Sequence, residues 1–183
     1  LPAVGGSEGI GEVEAVGYQV KSLKVGDRTI IVRSGAGTWQ TRGFFNENDM
    51  VKIDKDLSLE ISATFQVNPP TAYRMLTDFV DLKRGDLVVQ NGAASNVGRA
   101  VIQIAHARGL RTVNVIRKSD HSEQVIKELK SLGADEVYTD DQMISKFKEN
   151  KVKNVRLALN CIGGRNTLGL AGCLGNDGVL VTY

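Results

Sequence analysis

From Asp86 onward, short apolar runs alternate with stretches whose apolar positions recur every three or four residues. The runs are Leu87–Asn91, Thr112–Ile116, Glu136–Thr139, Val155–Asn160 and Gly178–Tyr183. Between them, 97–108 places Val101, Ile104, Ala105 and Arg108 at helical spacing, and 123–132 is closed by Gly133, a helix stop. A short helix over 142–148 and a glycine-rich one over 166–174 complete the alternation. Strands that are apolar throughout are buried on both faces, so helices must cover both sides of a parallel sheet. Right-handed crossovers then make it doubly wound. The expected fold class is α/β, with a doubly wound parallel sheet of Rossmann type.

Residues 1–62 follow a different pattern. Gly11–Val16 alternates polar and apolar residues, Val25–Arg28 is a turn into the strand Thr29–Val32, and Asp49–Ile53 is another short strand. Gly35–Thr41 reads as a glycine-rich turn into a strand, and many short strands with glycine turns predict a barrel-like β unit. Helices are expected over Ser58–Ala63 and Pro69–Leu82, the second with Ala72, Met75, Leu76 and Phe79 on one face. The two parts are therefore taken as residues 1–62 and 63–183, with the boundary in the stretch 57–70.

Composition narrows the function. A length of 183 residues suffices for one α/β domain with a core plus part of another. The 20 glycines suit tight strand-to-helix turns and close backbone approach to a ligand. A net charge of +2, with no run of five basic residues, argues against nucleic acid as the main partner. Cys161 and Cys173 form no Cys-x-x-Cys pair, which argues against a structural zinc lobe and against a disulfide framework. No apolar run approaches the roughly 20 residues that span a bilayer. The chain starts at Leu1 without a signal or transit segment, so the expectation is that one was removed or that this is a fragment.

The first strand runs into Gly92-Ala93-Ala94-Ser95-Asn96-Val97-Gly98 and then a helix. Gly92 permits a tight turn, Ala93 and Ala94 are small enough to admit a pyrophosphate, and Gly98 lets the helix pack on the sheet. The helix start offers N–H groups and a positive dipole end to phosphates, and Ser95 and Asn96 can cap it or bond phosphate. An ordinary strand-to-helix turn in a protein with another ligand explains the loop equally well. The second strand ends in Arg117-Lys118-Ser119, with Arg117 nineteen positions after Gly98, where an NAD enzyme carries a carboxylate for the ribose. Two cations and a hydroxyl suit a 2′-phosphate, and no carboxylate is expected where it would repel one. NADPH is therefore preferred over NADH, the alternative being a solvated basic strand end.

These motifs resemble the medium-chain dehydrogenase/reductase superfamily. Leu1-Pro2-Ala3-Val4-Gly5-Gly6-Ser7-Glu8-Gly9 is similar to its glycine-rich GHE strand, with Ser7 where zinc alcohol dehydrogenases carry a ligand histidine. Within the superfamily the chain resembles the zinc-free mitochondrial trans-2-enoyl-CoA/acyl-carrier-protein reductases. The resemblance is carried by Leu1–Gly6, Gly37-Thr38-Trp39, Val67-Asn68-Pro69 with Thr71–Leu76, Gly109–Val115 and Leu157–Cys161. It implies that the β unit is part of a GroES-like barrel domain and that the Rossmann-type domain is incomplete at its C-terminal end. It also implies that Asn68 lies near the nicotinamide and that Ala94, Ser95, Asn96 and Val97 wrap the pyrophosphate. Arg117, Lys118 and Ser119 would hold the adenosine phosphate, and Tyr183 would begin a loop bordering the cofactor. Trp39 would line the acyl cleft. Each has a plainer reading: Asn68 as a helix cap, Tyr183 as a strand-end aromatic, Trp39 as core.

The implied reaction is NADPH-dependent reduction of trans-2-enoyl thioesters, on acyl carrier protein or CoA, in mitochondrial fatty acid synthesis by a homodimeric parent. The proton donor of such reductases is a tyrosine matching a position upstream of Leu1, so no catalytic residue is expected here, and Tyr73 reads as structural. The chain alone is accordingly expected to be inactive. Two other readings stay open: a zinc-free quinone oxidoreductase, and a non-catalytic truncated isoform serving as a binding module.

Overall fold

The computed structural model describes residues 3–149 and 152–183, so Leu1 and Pro2 of the glycine-rich motif lie outside the described residues. The chain divides into two compact units, Leu1–Asn68 and Pro69–Tyr183.

In the first unit, β1 (Ile10–Glu12), β2 (Arg28–Ile31) and β3 (Met50–Ile53) form an antiparallel sheet in that order. Ile10 faces Ile30 and Arg28 faces Ile53. The turn into β2 needs Gly26 at φ +85° and places the Asp27 carboxylate out of water. A buried carboxylate must be partnered. Asp27 takes Lys52 of β3 at 2.8 Å and the Lys24 N–H at 3.1 Å, and Lys52, the larger influence, helps hold its carboxyl below the usual range. The expected strand after Gly35 does not form. Gly37 and Thr38 instead donate to the Gly6 carbonyl and Trp39 to that of Gly5, isolated bonds rather than a ladder. The short helix α1 (Leu59–Thr64) is capped by Ser58, whose hydroxyl accepts from the Ile61 N–H at 3.3 Å.

The second unit opens with α2 (Asn68–Thr77). It ends five residues before the sequence suggested: the Asp78 N–H closes the last turn on the Arg74 carbonyl at 2.9 Å, and the chain then leaves the helix to bring Leu82 into the core. Then come β4 (Leu87–Gln90), α3 (Asn96–Ala107), β5 (Arg111–Ile116), α4 (Ser122–Ser131) and β6 (Glu136–Thr139). α5 (Asp140–Lys148), β7 (Val155–Asn160), α6 (Gly164–Ala171) and β8 (Leu174–Thr182) follow. All strand pairs are parallel and the order is β6-β5-β4-β7-β8, the doubly wound arrangement. β8 starts earlier than expected. Leu174 already pairs with Val155, and a bulge with Asp177 at φ 60° separates it from the regular pairing that resumes at Val179 opposite Leu157.

Strand residues alternate between two cores. Val88, Leu157 and Leu159 pack with Ala72, Met75, Leu76, Val101 and Ala105 of α2 and α3. Val89, Val113, Val155 and Ala158 pack with Met143 of α5 and Leu170 of α6. A third cluster joins Ile102, Ile116, Leu129 and Val137. Polar bonds cross the sheet between these layers. Gln90 Nε2 donates to Asn114 Oδ1 at 2.8 Å and to the Gly98 carbonyl at 2.9 Å, fixing the first turn of α3 over β4. Asn114 Nδ2 donates to Thr112 Oγ1 and to the Glu136 carbonyl, joining β5 to β6.

Asn114 is fully buried and its amide serves three partners. Asn114→Ala would strand the Glu136 carbonyl and leave a small void. The expected cost is about 1–3 kcal/mol, read as a lower urea midpoint by circular dichroism. An unchanged midpoint would show the network to be energetically idle.

Candidate functional site

After β4 the chain winds outward to β5 and β6, then returns across β4 to β7. The connections leave β4 and β7 in opposite directions, and their C-terminal ends flank a crevice, the place where open α/β sheets bind ligands. A cleft of about 310 Å³ lies there. It is lined by Asn91, Gly92, Ala94 and Ser95 after β4, Ile116 and Arg117 after β5, Asp140 after β6, and Cys161, Ile162 and Asn166 after β7.

The turn from β4 to α3 is shaped by two glycines. Gly92 sits at φ +61°, and a Cβ on it would fall 2.3 Å from Cys161 Sγ. A Cβ on Gly98 would fall 2.6 Å from the buried Ala93 carbonyl. Ser95 caps α3, its hydroxyl accepting from the Gly98 N–H at 3.1 Å. Arg99 donates from Nε to the Ala94 carbonyl at 3.0 Å and forks onto Glu128, so the loop is braced from behind. Ala94, Ser95 and Asn96 are exposed, whereas the Val97 side chain packs into the core and leaves only its backbone for a ligand. Small side chains, a capped helix start and its positive dipole end make a cradle for a diphosphate-sized anion.

Beneath the cleft lies a buried amide network. Asn91 Nδ2 donates to Asn160 Oδ1 at 2.7 Å, and Asn91 Oδ1 accepts from the Cys161 N–H at 2.8 Å. Asn160 Oδ1 also accepts from the Gly163 N–H, and Asn160 Nδ2 donates to Thr182 Oγ1 at 3.1 Å. Tyr183 donates its N–H to the Asn160 carbonyl at 3.1 Å. Burial first, then the neighbouring Cys161, pushes the pKa of its hydroxyl well up.

The three residues after β5 have unequal positions. All are exposed, but only Arg117 borders the cleft. Lys118 donates its N–H to Asp140 Oδ1 at 3.2 Å and pairs through Nζ with Asp141 Oδ2 at 2.7 Å. Lys118 first, then the Thr139 hydroxyl, brings the Asp141 carboxyl down to about 2. Ser119 donates its N–H to the Ser122 hydroxyl at 2.8 Å and accepts the Ser122 N–H at its carbonyl, shaping the turn into α4. Carboxylates thus do stand beside this strand end. Asp140 and Asp141 open α5 just beyond β6, the neighbouring strand, and Asp120 follows Ser119 directly in the chain, so the expectation that no carboxylate sits here is corrected.

In the first unit, Trp39 is 81% exposed and lies over Gly5 and Gly6, where added Cβ atoms would come within 3.0 and 2.5 Å of the indole. It is not a core residue. Asn68 is half-buried and is the first residue of α2, with Nδ2 donating to the Thr64 carbonyl at 3.4 Å. Tyr73 lies on α2 with its side chain exposed. Sequence reasoning missed Asn91, Asn160, Cys161, Ile162, Asn166, Asp140 and Asp141. A signal existed for the first two: each is an amide closing an otherwise apolar strand.

With the geometry in place, two family models match, the alcohol dehydrogenase GroES-like domain over residues 1–55 and the zinc-binding dehydrogenase over 96–183. A mitochondrial enoyl-[acyl-carrier-protein] reductase of Caenorhabditis elegans is 58% identical over the whole chain, which covers 53% of that relative. The chain therefore spans about half the length of the curated relatives it matches. A mitochondrial 2-enoyl thioester reductase Etr1p/Etr2p heterodimer from Candida tropicalis and an Etr1p complex with NADP and crotonyl-CoA both superpose with a TM-score of 0.90. Both are 36% identical, over 99% of this chain and 55% of theirs. An Escherichia coli quinone oxidoreductase complexed with NADPH reaches 0.84 at 24% identity, over 100% of this chain and 56% of that one, a likeness of fold alone. The residues do not fit the zinc that the second family description names. Cys161 lies against Gly92, Cys173 is buried and donates to the Leu170 carbonyl, and among the described residues no three His, Cys, Asp or Glu side chains converge.

The two thiols should separate chemically. Burial pushes Cys173, only 2% exposed, up to about 12, while Cys161 borders the cleft. At pH 8 a disulfide reagent should label one equivalent in the folded chain and the second only after unfolding. Two equivalents labelled at the same rate would contradict this burial.

Proposed function

We propose that this chain belongs to the medium-chain dehydrogenase/reductase family and within it to the mitochondrial enoyl-thioester reductases, and that its parallel-sheet unit is the NADPH-holding part of such a reductase. The single observation carrying this reading is the cleft at the sheet's reversal, which joins the small-residue turn to Arg117. Its chemistry fits a phosphorylated dinucleotide. Gly98 leaves no room for a Cβ, so the start of α3 is held close against the Ala93 backbone, and Arg117 borders the cleft as a cation.

In this reading Ala94, Ser95, Asn96 and the Val97 backbone surround the pyrophosphate, and Arg117, Lys118 and Ser119 hold the adenosine phosphate. Asn68 approaches the nicotinamide, Tyr183 borders the bound cofactor, and Trp39 lines the acyl cleft. Residues 63–183 are the nucleotide-binding part and 1–62 belong to the substrate side. NADPH supplies the hydride for the β-carbon of a trans-2-enoyl thioester. The chain's own residues bind and orient: Ser95 fixes the loop, Asn91 and Asn160 fix its floor, and Ile162 offers an exposed apolar surface for a ring. The activity belongs to a mitochondrial, homodimeric enzyme acting on thioesters of CoA or acyl carrier protein. The Caenorhabditis elegans relative supports the mitochondrial enoyl reductase, and the NADP and crotonyl-CoA complex supports the cofactor and the CoA thioester. A quinone substrate has only a distant likeness behind it.

Titrating the chain with NADPH and NADH tests the cofactor reading. Arg117→Ala should weaken NADPH about tenfold, consistent with loss of a charge-assisted bond of about 1.5 kcal/mol, and leave NADH nearly unchanged. Equal losses for both would remove the 2′-phosphate role. For the parent activity, crotonyl-thioester-dependent NADPH oxidation is the measurement, and quinone-dependent oxidation alone would overturn it.

A further inference from the structure

The cations after β5 come with counter-charges from the next strand. Lys118 is bound twice by the acidic pair that opens α5, through its N–H to Asp140 and through Nζ to Asp141. Asp141 is itself anchored, its other oxygen accepting from the Thr139 hydroxyl. Arg117, on the cleft side, has Asp140 as a fellow lining residue. An ammonium has three donors in a flexible arrangement, and both members of this pair are largely exposed, so exchange for another anion is sterically open. A phosphate carries more charge and more acceptor oxygens than a carboxylate and competes well for such a cation.

We propose that Asp141 is a specificity-setting residue, the resident counter-ion of Lys118, which a 2′-phosphate must displace, so that Asp141 tempers the preference for the phosphorylated cofactor. The inference rests on the NADPH reading above and deepens it. Without Asp141, the Lys118 ammonium loses its paired carboxylate, Asp140 remaining on the Lys118 N–H, and the strand end carries one negative charge fewer. A ligand bearing the 2′-phosphate gains from both changes, and one lacking it gains from neither. The Thr139 anchor makes the effect specific to this carboxylate, because it holds Asp141 at Lys118 rather than free in solvent.

The test is titration of the full chain and its Asp141→Asn variant with NADPH and with NADH at low salt. The variant should bind NADPH about two- to fivefold more tightly, the range of an exposed ion pair, with NADH unchanged. Adding Lys118→Met should abolish the gain. Unchanged NADH binding also shows that the variant folds, and a melting curve without ligand checks this separately. An NADPH affinity that stays the same or falls relative to NADH overturns the role of Asp141 while leaving the cofactor reading standing. An unsubstituted chain that binds neither dinucleotide, or both equally, overturns the two together.

Discussion

The hydrogen bond between the Asn91 and Asn160 side chains lies where the sheet's winding reverses. Two neighbouring strands must there send their loops to opposite sides of the sheet, and beyond the bond from the Asn91 N–H to the Leu159 carbonyl something must hold the diverging ends together. The amide pair does so from below. Each amide oxygen also takes a backbone N–H from the loop after β7, at Cys161 and at Gly163. Amides buried at this depth would be a liability if left unpaired. Satisfied, they specify one arrangement of the cleft floor. The mouth above them remains free to receive a ligand because the floor supplies the rigidity.

The parallel sheet was legible because burial on both faces leaves little choice of residue. Val155–Asn160 is a strand over the same residues that its apolar run marks. Features set by single side chains were less legible. α2 stops at Thr77 and the chain turns to bury Leu82, a break that hydrophobic spacing, which continues through Phe79, does not register. β8 begins at Leu174 because that residue pairs with Val155, and Gly175–Gly178 bulges out before pairing with β7 resumes at Val179. In the cleft, the glycine turn and Arg117 followed from their position along the chain. Asp140 and Asp141 did not, because adjacency across a parallel sheet joins residues more than twenty positions apart.

The charges around the cleft are therefore a property of several strand ends. Arg99 braces the β4 loop yet spends its charge on Glu128 of α4, and Lys118 is neutralised by the start of α5. Arg117 borders the opening itself. A count of basic residues along the sequence would have treated the three as equivalent. Their partners distinguish them, and those partners are fixed by the same right-handed winding that makes the sheet.

Gly92 and Cys161 show how such winding divides one requirement between distant positions. The sulfur occupies the room that a side chain on residue 92 would need, and the positive φ of the glycine presses the turn against it. The volume available at that point is a single quantity shared by two strands. Bulk at either position comes at the expense of the other, so the two residues form one spacer written in two places, and its thickness sets how closely the loops on either side of the crevice approach.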